Sequence, residues 1–176
     1  MLFSRSKGLV GLDIGSSAMK LVELKERKGE YSLQRLGIEP LSPEAIVDGS
    51  IMDSSLVVDA IHKLNDATGA TLPSYATSLS GHSVIIKKIQ MPAMPAEDLS
   101  EQIQWEAEQY IPFEIDDVNI DFQILGPLPE EEGQMEGLLV AVKKDIINDY
   151  TAVIAESGLV AQVVDVDAFA LENAFE

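Results

Sequence analysis

Apolar residues between Leu9 and Ile38 fall into three short runs, separated by Gly15-Ser16-Ser17 and by Lys28-Gly29-Glu30. That is the pattern of three strands in an antiparallel meander. The first run, with Leu9, Val10, Leu12 and Ile14, is apolar almost throughout and is expected in the middle of a sheet covered on both faces. Pro40 and Pro43 open a connection, Ile46 to Met52 reads as a short extended segment, and Asp53 or Ser54 is placed to cap a helix. In that helix Leu56, Ala60, Ile61, Leu64 and Ala67 recur on one face, and Gly69 ends it. A strand from Ser74 to Leu79 completes the order βββαβ.

Beyond Gly81 the spacing reads as strand (Val84 to Gln90), helix (Ala96 to Ile111), strand (Val118 to Leu125), strand (Met135 to Val142), helix (Asp145 to Glu156) and strand (Leu159 to Val166). A βαββαβ order suffices for a compact module of about 80 residues. The sequence therefore predicts an α/β chain in three parts: a βββαβ subdomain over residues 1–82, a βαββαβ module over 83–166, and from 167 to 176 the start of a helix returning to the first subdomain.

Composition narrows the classes of function. With 46% hydrophobic residues among 176, the chain can bury a core. Thirty acidic against 12 basic residues give a net charge of minus 18, which argues against nucleic-acid binding, because neutralising phosphates takes clustered Lys and Arg. The absence of cysteine excludes disulfides, thiolate metal sites and cysteine nucleophiles. The apolar stretch after MLFSRSKG is broken by Gly11 and Asp13, so no signal peptide is expected, and the chain reads as soluble and cytoplasmic.

Candidate chemistry gathers at the first turn, where Asp13, Gly15, Ser16, Ser17 and Lys20 follow one another. Glycine lets backbone approach phosphate oxygens, and successive N–H groups of a tight turn form an anion-binding concavity. The serines add donors, Lys20 reaches a phosphate as a point charge, and Asp13 can hold magnesium through its water shell. A plain hairpin with two ordinary flanking residues is the alternative. A carboxylate ending an apolar central strand needs a partner, and a cation is one.

Elsewhere, no Lys or Arg occurs between Lys88 and Lys143, while acidic residues run from Glu97 through Asp116, Asp117 and Asp121 to Glu130, Glu131 and Glu132. This is either a solvated face with a polar loop or a docking surface for a basic segment. On the helix from Ala96, Leu99, Ile103, Ala107 and Tyr110 make one stripe and Trp105 projects to the other side, either packing on another element of the chain or anchoring a partner. His62 and His82 are too few for a transition-metal site, Asp116 and Asp117 face opposite ways on a strand, and no serine triad is apparent.

The run GLDIGSSAMKLVEL resembles the first phosphate motif of the actin, Hsp70 and sugar-kinase superfamily. QWEAEQYIPF (Gln104 to Phe113), DGSIMD (Asp48 to Asp53) and VDAFALENAF (Val166 to Phe175) resemble the PilM family, FtsA-like proteins of type IV pilus assembly. The resemblance implies an actin-like, ribonuclease H-like first subdomain and an inserted FtsA-type subdomain over 83–166. It implies ATP or ADP with Mg2+ as cofactor, with Asp13 on the magnesium side, Gly15, Ser16 and Ser17 cradling phosphate, and Lys20 completing the motif. The implied partners are the N-terminal peptide of a PilN-like inner-membrane protein, received in a groove beside the inserted subdomain, and other pilus motor or alignment proteins. Such contacts would hold the chain at the inner face of the inner membrane. Hydrolysis would be slow or absent, and no catalytic residue is assigned.

Members of that superfamily close ATP between two related halves, and the second phosphate and adenosine motifs do not occur in these 176 residues. The chain is thus expected to supply one jaw of the clamp and to bind ATP weakly or not at all. The alternatives are the first half of a sugar or acetate kinase, for which no acceptor base is marked, and an FtsA-like division protein.

Overall fold

In the computed structural model, which describes residues 8–81 and 84–175, Lys28 and Gly29 take φ of 56° and 81°. A two-residue hairpin with the strand-matching twist demands these angles. They join β2 (Ala18–Arg27) to β3 (Glu30–Pro40), and β1 (Val10–Ile14) pairs antiparallel with β2. The connection then makes a minimal hairpin, β4 (Ile46–Val47) and β5 (Ser50–Ile51), around Asp48 and Gly49, which also have positive φ.

Helix α1 (Ser54–Thr68) starts where Asp53 caps it, its Oδ1 accepting from the amides of Ser55 at 3.0 Å and Leu56 at 3.2 Å. Gly69 ends it in the left-handed conformation at φ 65°. The buried face is Val57, Ala60, Ile61 and Leu64, whereas Ala67, expected on that stripe, is exposed. The helix crosses β3 at Gly37, where an added Cβ would come within 2.8 Å of Leu64 Cδ1. Strand β6 (Ser74–Leu79) follows and lies parallel to β1.

The Asp53 bonds hold its carboxyl below the ordinary 3.8, the Ser55 hydroxyl contributing most. A depressed folded-state value means that the stabilisation is present above 3.8 and lost as pH falls through the lower folded value. Asp53→Ala is expected to lower the melting temperature at neutral pH, and Asp53→Asn to keep the cap while removing this acid-dependent loss. Thermal melts of the three proteins at neutral and acid pH check it.

The second stretch comprises β7 (Val84–Pro92), α2 (Ala96–Ala107), one 3-10 turn (Ile115–Asp117), β8 (Val118–Pro127) and β9 (Gln134–Lys143). The three strands form an antiparallel sheet in the order β7-β9-β8. Ile89, Met91, Leu99, Met135 and Leu139 make the centre of its core, with Ile103 and Tyr110 packed against it. The helix stops at Ala107, short of the expected Ile111; the next residues tighten into a turn in which Gln109 N donates to Glu106 O and Tyr110 N to Ala107 O, and Pro112 keeps Ile111 from extending it.

Helix α3 (Lys144–Glu156), β10 (Val160–Val166) and α4 (Asp167–Phe175) complete the chain. Here the expected division is corrected. β10 was assigned by its spacing to the module over 83–166, but it hydrogen-bonds in parallel to β6, from Val160 opposite Ser74 to Val166 opposite Leu79. The helix before it, α3, leaves β9 of the other sheet, so β10 pairs with β6 across the whole intervening stretch from β7 to α3 rather than within one local unit. The first sheet therefore runs β10-β6-β1-β2-β3, and the two compact units are Met1–Gly81 with Ile147–Glu176 and, separately, His82–Ile146. The expected boundary at 82, the reading of MLFSRSK and the placing of His82 fall outside the described residues.

A second correction concerns β1. It is central in the sheet, yet Val10, Leu12 and Ile14 are buried while Gly11 and Asp13 are exposed. Only one of its faces is covered among the described residues, the one carrying Leu12, Met19 and Leu21. No described helix is long and apolar enough to cross a membrane.

Candidate functional site

The antiparallel register of β1 and β2 sets Asp13 directly opposite Lys20. Lys20 Nζ lies 2.6 Å from Asp13 Oδ2, with both side chains about half exposed. The carboxylate that ends the apolar strand thus has a counter-ion within its own chain, which answers the sequence argument that it needs a bound cation. Between them Gly15 is sterically required, since an added Cβ would lie 2.9 Å from the carbonyl oxygen of Ala18. Ser16 and Ser17 are exposed at the tip, and the Ser17 carbonyl accepts from Leu41 N at 2.9 Å, tying the turn to the end of β3.

Asp13 and Lys20 also line an open cleft of about 380 Å³, together with Ala76 and Ser78 of β6 and Asp165 of β10. The turn residues Gly15, Ser16 and Ser17 are not part of its lining. Of the residues expected at a phosphate with its magnesium, the cleft brings together the carboxylate of Asp13 and the amine of Lys20. Lys20 could exchange Asp13 for an anionic oxygen and the released carboxylate could take a hydrated cation, whereas Gly15 is required by the turn's own Ala18 carbonyl. Asp165 brings a second carboxylate to this face, a consequence of β10 joining the first sheet that the sequence reading missed.

Tyr150 was also missed. It is buried on α3, and its hydroxyl donates to the carbonyl of Gly49 at 3.1 Å, bracing the β4-β5 turn. Burial pushes its pKa up, and the negative charge of Asp13 adds to the shift, so Tyr150 lies within electrostatic reach of the turn. Its place beside the buried Val153 and Ile154 at helical spacing was the available signal. Tyr150→Phe is expected to cost about 1 kcal/mol, the net worth of one hydrogen bond, read as a small fall in melting temperature.

In the separate unit His82–Ile146, Trp105 stands 73% exposed on α2 while Leu99 and Ala107 are buried. Of the two readings open from the sequence, packing on another element finds little support among the described residues, where the indole is left largely open to water. Asp116, Asp117, Asp121 and Glu130 to Glu132 are exposed as well. His62 is exposed, and no group of three metal-ligating side chains occurs among the described residues.

A five-stranded mixed sheet with a Gly-Ser-Ser turn between its first two strands, and an antiparallel unit placed in sequence between β6 and the returning β10, defines an α/β protein of the actin-like kind. The chain belongs to the family of the type IV pilus assembly protein PilM, whose model matches residues 11–176. It is similar to the structure titled PilM-PilN type IV pilus biogenesis complex, at 33% identity and a TM-score of 0.81, over 92% of this chain. That match covers 48% of the other chain, so this sequence spans about half of its length. A second similar structure is the cytoplasmic domain of EpsL, an inner membrane component of the type II secretion system of Vibrio cholerae. There the TM-score is 0.59 at 13% identity, over 93% of this chain and 58% of that one, a likeness of fold alone.

Proposed function

We propose that the chain is the portion of a type IV pilus assembly scaffold that docks the N-terminal peptide of a PilN-like inner-membrane partner and supplies the first phosphate turn of an actin-like nucleotide site. The observation carrying this reading is the 33% identity and TM-score of 0.81 to a structure whose title names PilM with PilN. In this reading the sheet bearing β1 is the ribonuclease H-like subdomain and residues 82–146 are the FtsA-type insertion.

Magnesium and the phosphates of ATP or ADP are held by Asp13, by Lys20 and by the backbone of Gly15, Ser16 and Ser17. Bound nucleotide acts as a conformational ligand, and the bound partner keeps the protein at the inner face of the inner membrane, beside other pilus motor and alignment proteins. The nucleotide role is supported by the exchangeable Asp13–Lys20 pair, because a lysine held only by a half-exposed carboxylate gives it up to phosphate at little cost.

The test is calorimetric titration of this chain with the N-terminal peptide of a PilN-like protein, with and without Mg-ATP. Peptide binding without nucleotide is the expected result, and ATP alone binds weakly or not at all. Failure of the peptide to bind under both conditions would overturn the docking role.

A further inference from the structure

The segment from Leu41 to Asp53, which ends in the DGSIMD run, is tied down at three places. At its start the Leu41 amide donates to the Ser17 carbonyl of the Gly-Ser-Ser turn at 2.9 Å. In its middle the Gly49 carbonyl accepts from the Tyr150 hydroxyl of α3 at 3.1 Å. At its end Asp53 caps α1.

Between these points the segment has little slack. The amides of Met52 and Asp53 both donate to the Ala45 carbonyl, at 2.8 and 3.3 Å, and the Ala45 amide donates to the Ser42 carbonyl at 3.0 Å. Pro43 restricts the backbone further, and Leu41, Ala45 and Ile46 are buried. The Asp48-Gly49 hairpin turn, with φ of 51° and 81°, presents the Gly49 carbonyl to α3. A displacement of Gly49 is therefore passed along to Leu41.

What Leu41 controls is the exit of the turn. A trans peptide is planar, with its C=O and N–H pointing in opposite directions. Holding the Ser17 carbonyl toward Leu41 fixes the plane of the Ser17–Ala18 peptide, from which β2 carries Lys20 back to Asp13. Tyr150 does not line the cleft of Asp13 and Lys20, yet after the larger effect of burial its hydroxyl responds to the charge of Asp13.

We propose that Leu41–Asp53 is a strap through which Tyr150 positions the turn from Asp13 to Lys20 for phosphate, which makes Tyr150 a positioning residue of a site it does not touch. The inference rests on the reading of that turn as part of a nucleotide site. An anion that meets a turn already held in one conformation does not have to freeze it.

The test compares Tyr150→Phe with Tyr75→Phe in the full chain. Each deletes one tyrosine hydroxyl bond, the second being that from Tyr75 of β6 to Asn65 Oδ1 of α1 at 2.6 Å. Amide hydrogen exchange and amide NMR spectra are read without ligand. In Tyr150→Phe the Leu41 amide should exchange about fivefold faster or more, relative to the Leu21 amide of β2, and the Ser17 and Ala18 resonances should move. In Tyr75→Phe both should stay as in the unmodified chain, although its melting temperature falls as well. Gly49→Ala strains the strap at φ 81° in open space, without altering α3, and should reproduce the Leu41 response.

Unchanged Leu41 exchange in Tyr150→Phe, an equal response in Tyr75→Phe, or shifts confined to α3 and the β4-β5 hairpin would each overturn the proposal. None of these readouts involves nucleotide, so a negative result removes the strap and leaves the nucleotide reading to its own titration.

Discussion

Replacing Gly137 with alanine is expected to destabilise the unit of residues 82–146 by about 1–3 kcal/mol, as overpacking does. Gly137 sits in β9, the central strand, and the ring of Phe122 from β8 lies across it. A Cβ there would come within 2.6 Å of Phe122 Cε2 and 2.7 Å of Cε1, so the ring would have to leave. Phe122 packs against the core and stands opposite Leu139, which is fully buried, and its departure would uncover both.

The opposing effect is real but smaller. Alanine in a strand interior normally gains roughly 0.5–1 kcal/mol over glycine by restricting the unfolded chain. Denaturant unfolding of Gly137→Ala, Phe122→Ala and the double variant measures the balance. The double variant should be more stable than the sum of the single losses predicts, with a coupling of about 1 kcal/mol or more, because without the ring the methyl meets nothing. Strict additivity would mean that the ring does not need the glycine.

That contact illustrates which parts of the fold the sequence carries. Asp53, Gly69 and the Lys28-Gly29 pair announce themselves, since caps and hairpins are chemistry between near neighbours in the chain. The order of strands within each run is legible for the same reason. The partner of β10 is not, because the spacing of Val160 to Val166 suits either sheet and its neighbour β6 lies about 80 residues back in the chain, beyond any local pattern. Val57 replaces Ala67 on the buried face of α1 because the approach of β3 at Gly37 sets which side of the helix is covered.

At the turn, the residue types were legible and their state was not. Asp13 and Lys20 are seven residues apart, and that they face one another at 2.6 Å follows from a register that the Gly15 turn fixes. The burial of Tyr150 is signalled by its spacing to Val153 and Ile154, but its partner Gly49, 101 residues away, lies beyond any local pattern.

Trp105→Ala is expected to weaken binding of the PilN-like peptide by about 30-fold or more, the roughly 2 kcal/mol typical of a central aromatic anchor, while leaving folding nearly untouched. The asymmetry follows from exposure. An indole 73% open to water makes few contacts to lose when it is truncated in the free chain, so stability should fall by no more than about 0.5 kcal/mol. In a complex the same ring offers one of the largest apolar surfaces a side chain can bury, at the entropic cost of only two torsions.

The exposed acidic residues of the same unit do not substitute for this contribution. Exposed charges hasten encounter and make binding salt-sensitive, but each adds little to affinity. Raising salt should therefore weaken the complex of the unmodified chain in proportion to peptide charge, and Trp105→Ala should weaken it at every salt concentration. Because the sequence contains a single tryptophan, its emission reports on the same contact without a label. Peptide docking on the indole should shift the emission to shorter wavelength as water leaves the ring. Full affinity in Trp105→Ala, together with unshifted emission on peptide addition, would assign the docking surface to other residues. A lowered melting temperature with unchanged affinity would mean that the ring is a packing element after all.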